Sequence, residues 1–556
     1  MLQAMRIIKI IFRTIIVLSL FVSCNNENPE RLKKVVIGIS ADLETINPAY
    51  SFSVDEGVID ETLFLSLVQF EWNDTKGDLD EKPMLASSWQ WGHDSSYVIF
   101  NLRNDAYWSD GVKVTVDDII YSFDIYSDPK VQSRFYGSFK NLFIDYDNHI
   151  DLKRTFEILS SNQLKINFTP KSVPSLLDVV FPIVPKHIIE KIGREALSTS
   201  EINFNPVSNG AYKLKRWERN QTIVLEADKK SFLYKAGMID EIIFKIIPDY
   251  NSRLTQLEKG EIDFCELIKP LDVKELRKFD KLKIESIKGR EYDYLGLSNI
   301  DLKLYANNNI IKKNKLFGSS NVRKAIAYAI NRNEILTEYL NNFGELAITP
   351  VSAIFKQYYD TDLKPIEFNP DKAKKLLSDE GWKDNNNDGI LEKDGMEFKF
   401  TLYIPSGNPL REFAGTIIKN NLKAIGIDVS IEKMELGAFL DNLYNKKFDA
   451  WMASWYIQVP LELKAYWYSD LKNTPLNFVS YQNKEVDKII DKLNKRLTPK
   501  EKIEYYKKFQ QIIFNDQPSV FLYWTDNIVA HNKRIKEITI NPYGALQKLW
   551  EWRLNN

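Results

Sequence analysis

Two rhythms of apolar and polar positions run along the chain, and the switch between them marks its elements. Residues 35–39, 97–102, 221–227 and 241–247 are short runs rich in β-branched and aromatic side chains, bounded by polar or turn residues, and predict strands. Elsewhere the period lengthens to that of a helix. In residues 321–340, Val322, Ala325, Ile326, Ala329 and Ile330 fall on one stripe and predict a single core-facing helix. Asn369-Pro370-Asp371 supplies an N-cap, a proline in the first turn and an acid at the positive helix end; residues 372–377 follow and Gly381 closes the segment. Thr498-Pro499-Lys500-Glu501 has the form of a capping box leading into Ile503, Tyr506 and Ile513. Strands and helices interleave without a fixed-period repeat, which predicts an α/β or α+β layout and excludes solenoids and propellers.

The N-terminus follows a different rule. Arg6, Lys9 and Arg13 precede an uncharged apolar run at 14–22, too short for the roughly 20 residues a bilayer crossing needs. It reads as the apolar region of a secretory signal occupying 1–23. The end of the run, Leu20-Phe21-Val22-Ser23-Cys24, resembles the lipobox of bacterial lipoproteins, in which the cysteine accepts a diacylglyceryl group. That resemblance makes Cys24 a lipid anchor and 24–34 a polar tether; an ordinary signal peptide with a cysteine close to its cut is the alternative. With Cys24 acylated, Cys265 has no disulfide partner, and its flank carries no group that would activate a thiol.

Composition narrows the class further. A chain of 556 residues, 44% hydrophobic, has room for two or three domains. Taking the three leader cations from a formal charge of -1 leaves about -4, which gives no electrostatic reason to expect nucleic acid. The four histidines, His93, His149, His187 and His531, lack metal-ligand spacing, and no nucleophile elbow, zinc motif or phosphate-binding glycine loop occurs. Asp384 to Ile390 copies the first half of a calcium loop, but position twelve is Gly395 where a bidentate glutamate is required. The chemistry read from the chain is binding: no catalytic residue, no cofactor and no metal.

Several stretches together resemble the large solute-binding proteins of ABC importers, the family of oligopeptide- and dipeptide-binding proteins. The most specific are Pro83-Met84-Leu85-Ala86-Ser87-Ser88-Trp89, Ala106-Tyr107-Trp108-Ser109-Asp110-Gly111 and Val114-Thr115-Val116-Asp117-Asp118-Ile119-Ile120-Tyr121-Ser122-Phe123. Supporting pieces are Ile46-Asn47-Pro48, Pro206-Val207-Ser208-Asn209-Gly210-Ala211-Tyr212 and Phe448-Asp449-Ala450 leading to Trp455. The resemblance implies a periplasmic-binding-protein-like α/β fold of the large three-domain form, with a two-strand hinge. Lobe I would take 31–60, 207–290 and 525–556, an extra α+β domain 61–206, and lobe II 291–524. Trp89, Phe100, Trp108 and Phe123 are expected in the core, and Gly111 and Gly210 in turns.

By the same resemblance, a monomer held in the periplasm or cell envelope captures a peptide or related small solute between its lobes and delivers it to an ABC permease of the inner membrane. The cleft residues it implies are Phe52, Ser53 and Val54 on one side, Tyr136 and Phe139 from the extra domain, and Trp455, Tyr456 and Gln458 opposite. Peptide-binding relatives place an aspartate shortly after the tryptophan to hold the ligand's α-ammonium. Here no acid occurs until Glu462, so either Glu462 substitutes or the solute lacks a free amino terminus. The reading from another class is a surface lipoprotein that binds glycan, left exposed along an aromatic strip, or another non-peptide ligand, without an importer.

Overall fold

The computed structural model describes residues 32–170 and 172–555; the predicted leader and Cys24 lie outside the described residues. An 11-stranded mixed sheet runs through the molecule. Its path begins with Asp428–Met434, Lys399–Pro405 and Ala450–Tyr456, and passes through two long antiparallel strands, Leu282–Leu297 and Ser519–Asn532. It continues with Phe264–Cys265, Lys34–Ile39, Glu241–Ile246, Thr222–Ala227 and Tyr212–Glu218. The run at 35–39 is central and parallel to both of its neighbours, which is why it reads as nearly continuous apolar sequence.

The two long strands connect separate cores. Leu282 to Ile287 pair with Asn532 to Asn527, and Glu291 to Gly296 pair with Thr525 to Ser519; an irregularity at residues 288–290 separates the two stretches. Gly289 sits in that irregularity, where an added Cβ would lie 1.9 Å from the Thr525 carbonyl oxygen, so only glycine fits. Beyond it, every buried member of two hydrophobic cores falls between Tyr292 and Trp524. Before it, one core joins Lys34–Ile39 and Glu241–Ile246 to the segment 61–206 and to the C-terminal Leu549, Trp550 and Trp552. Phe100, Trp108 and Phe123 are buried in it and Trp89 packs at its edge.

Within 61–206, a four-stranded sheet is ordered Ala86–Trp91, Tyr97–Leu102, Gln163–Asn167, Phe156–Ser160. A separate hairpin, Val68–Asn73 with Asp78–Pro83, reaches across to residues 354–358. There the Tyr358 hydroxyl and Gln357 amide donate to Asp78 at 2.8 and 3.1 Å, and Trp72 meets Phe355 edge-on.

The predicted helix over 321–340 is two helices, Ser320–Ala329 and Arg332–Glu338. Ile330 is extended, and the Asn331 side chain accepts from the Glu334 N–H, capping a new helix where the stripe alone implied continuity. The break serves Arg332, which is buried and donates to the carbonyls of Ala347, Phe521 and Ile366. The caps read at Asn369 and Thr498 are in place, opening Pro370–Asp379 and Pro499–Asp516. Gly111 lies at positive φ in a turn; Gly210 is instead a point of close approach, with no room for a Cβ beside the Thr62 carbonyl.

Candidate functional site

Phe52, Ser53 and Val54 open the helix Val54–Leu63. Ser53 is its N-cap, accepting from the Glu56 N–H, while the Glu56 carboxylate accepts from the N–H groups of Phe52 and Ser53 at 2.7 and 2.8 Å and of Glu44 and Thr45. Burial pushes the Glu56 carboxyl up, but these backbone donors outweigh it and hold it below its ordinary value. The box fixes the backbone and turns the neighbouring side chains outward: Phe52 is 77% and Val54 78% exposed. Leu267, from the segment after Phe264–Cys265, is 74% exposed as well.

Trp455 and Tyr456 end the strand Ala450–Tyr456 and pair with Tyr292 and Glu291 of the first long strand. As neighbours on a strand they leave on opposite faces. Trp455 is half-buried, stacked on Phe478 at 5.2 Å between ring centres and edge-on to Tyr466 at 4.7 Å. Tyr456 is 59% exposed and points to Arg290. Gln458 is exposed just beyond. Glu462, the acid weighed as an ammonium partner, accepts from the N–H groups of Lys464 and Ala465 at 2.7 and 3.1 Å, so it is engaged in starting the short helix Lys464–Trp467.

The extra-domain residues separate. Tyr136 is partly exposed and donates its hydroxyl to the Asp147 carbonyl. Phe139 is a correction: it is 2% exposed, packed against Phe123 and Phe181 in an aromatic cluster, and presents nothing to a solute.

The sequence reading passed over Arg290 and Tyr543. Arg290 follows Gly289 at the irregularity between the long strands. Its guanidinium lies 4.5 Å from the centre of the Tyr456 ring and 5.8 Å from that of Tyr543. It donates to the Tyr456 hydroxyl at 2.6 Å and to the Ile457 and Tyr543 carbonyls at 3.3 Å. Thus one hinge residue touches a side chain from 291–524 and the backbone of the C-terminal segment. The only sequence signal was a glycine followed by a charge inside an otherwise strand-like run.

Tyr543 also borders a cavity of about 210 Å³, walled by Gly57, Asp60, Glu61, Phe70 and Arg134 among others. Asp60 is buried and accepts from the Ser51 hydroxyl, with Arg134 at 3.4 Å; burial nevertheless pushes its carboxyl up to about 7. Burial also raises Glu61, against the pull of the Gln69 amide and Lys548. Tyr543 is raised by burial, with Glu61 adding to the shift and Arg290 opposing it, so its hydroxyl sits between opposite charges. No group of three or more His, Cys, Asp or Glu side chains able to hold a metal occurs among the described residues, and no described helix is long and apolar enough to cross a membrane.

Residues 81–476 match the family model described as bacterial extracellular solute-binding proteins, family 5 Middle. Among curated proteins, the chain is 29% identical to the oligopeptide-binding protein AppA of Bacillus subtilis over 531 residues, 95% of this chain and 92% of that one. It is 24% identical to the probable D,D-dipeptide-binding periplasmic protein DdpA of Escherichia coli, covering 91% and 92%. Among solved structures, Bacillus subtilis AppA in complex with a nonapeptide superposes with a TM-score of 0.70 at 27% identity, covering 94% of this chain and 99% of that one. NikZ from Campylobacter jejuni in complex with Ni(L-His) gives 0.70 at 26%, with the same coverage.

Proposed function

The chain belongs to the bacterial extracellular solute-binding proteins of family 5, and from that membership we propose that it is the substrate-binding lipoprotein of an ABC importer for peptides or related small solutes. The observation that carries the reading is the antiparallel strand pair Leu282–Leu297 with Ser519–Asn532, passing between distinct cores that also touch through the hairpin at 68–83. Two bodies joined this way rotate about the junction at little energetic expense, and a solute that touches both stabilises the closed arrangement. No bond is made or broken.

Lobe I is 31–60, 207–290 and 525–556, with 61–206 sharing its core, and lobe II is 291–524; the confinement of two cores to Tyr292 through Trp524 supports that division. Phe52, Val54 and Tyr136 on one side and Trp455, Tyr456 and Gln458 on the other line the binding region, with Ser53 holding the first pair in place. Cys24 carries the lipid that tethers a monomer in the periplasm or cell envelope. That relatives bind an oligopeptide or a nickel–histidine complex sets the range: enclosed solutes of peptide size or smaller.

Mass spectrometry of whatever is released on denaturing the purified protein tests this. A small solute present near one equivalent, together with a smaller radius of gyration by X-ray scattering when it is added back, is the expected result. A protein whose dimensions respond to no small solute, or that binds only long glycan chains, overturns it. Cys24→Ser is expected to move the protein from the membrane to the soluble fraction.

A further inference from the structure

We propose that Arg290 is the seat for a carboxylate of the solute, so that the chain selects anionic, peptide-like molecules. This rests on the receptor reading above and names the charge its solute carries.

Among the described residues no carboxylate pairs with Arg290: its donated bonds go to the Tyr456 hydroxyl and the carbonyls of Ile457 and Tyr543, all neutral. The Nε–H is buried and has no acceptor. Arg290 is not alone among the described residues in lacking a carboxylate: Arg154, Arg253, Arg277, Arg496 and Arg553 pair with none either. Of the buried pair Arg323 and Arg332, deep in lobe II, Arg323 donates to the Gln517, Phe317 and Asp516 carbonyls through all three nitrogens and Arg332 to three further carbonyls. That pair acts as internal braces. Arg290 differs in position and in being incomplete, since it stands at the junction of the lobes between two tyrosine rings, with a donor left over.

Nearby acids are directed elsewhere. Glu291 lies 3.9 Å from Arg411, whose guanidinium also holds the buried Asp293 at 2.8 Å, and Glu61 lies on the cavity side of Tyr543. A partly desolvated guanidinium without a counter-charge is an unfavourable state that an incoming anion relieves. A carboxylate accepts from guanidinium N–H groups in charge-assisted bonds, each stronger than a neutral one. The neighbouring position fits the same polarity. Gln458, one residue past the Ile457 carbonyl that Arg290 holds, is neutral, so no fixed anion there would repel the guest.

The test is tryptophan fluorescence titration of the full-length protein in detergent with a mixed tetrapeptide pool, prepared once with free C-terminal carboxylates and once as amides. The free-acid pool is expected to bind at least about tenfold more tightly, a preference that weakens with added salt. Arg290→Gln should erase the preference by weakening the free-acid pool alone, and Arg290→Lys should restore part of it, keeping the charge but losing the fork. Equal binding of the two pools by the wild-type protein, binding of neither, or a preference that survives Arg290→Gln overturns the assignment. Should Arg290→Gln not fold, as circular dichroism would show, the wild-type comparison decides alone. A co-purified solute without an anionic group overturns this inference while supporting the receptor reading.

Discussion

Trp455 packs its face on Phe478 and its edge against Tyr466, yet part of the ring stays accessible, so its removal acts on packing and on the solute together. Trp455→Ala should lower stability by about 1–2 kcal/mol, below the cost for a fully buried aromatic, and weaken solute binding by calorimetry. Phe139→Ala should do the reverse: about 3–5 kcal/mol lost from the extra domain's core, with affinity unchanged in the folded fraction. Equal effects on affinity would remove Trp455 from the binding region. A carboxyl group gives a second prediction at this scale. Burial holds Asp60 at about 7 in the folded chain, against an unfolded value near 3.9, so the folded state binds more protons between those values. Stability from this group is therefore lost as pH rises from about 4 towards 7. Urea melts at pH 5 and pH 8 should show Asp60→Asn with a smaller drop than the wild type; an unchanged drop would place the titration elsewhere.

The elements divide by how local their causes are. Capped helices and the strand at 97–102 were legible because cap, period and boundary lie within a few residues of each other. The pair of long strands was not. After a buried Leu282, Leu282–Leu297 runs through nine exposed or half-buried positions and ends in six buried ones, because it leaves one environment and enters another, and no single period describes both. The stripe over 321–340 misled for the opposite reason: its apolar rhythm continues across a break made by one asparagine. Parts of the proposed binding region lie in the aromatic run around Trp455, whereas Arg290 and Tyr543 meet across a separation of 253 residues that nothing local encodes. Phe139 was misplaced because an aromatic after a helix reads the same whether it faces a cleft or fills a core. Gly289 carries the prediction at this scale. Gly289→Ala forces a methyl group against the Thr525 carbonyl, so melting should fall and the scattering change on adding solute should shrink. Gly111→Ala has open space around its Cβ but a positive φ, and should lower melting while leaving that scattering change intact.

Among the described residues, the bodies meet at the strand pair and at the hairpin tip, where Asp78 holds Tyr358 and Gln357 and Trp72 rests on Phe355, with a lone bond from Arg496 to the Asp94 carbonyl besides. A door hung at two points swings only about the line that joins them. If those bonds persist through the cycle, the jaws cannot twist or slide, and opening reduces to a single angle. Every solute, large or small, then brings the same two rims to a transporter along the same arc, and differs only in where along that arc it stops.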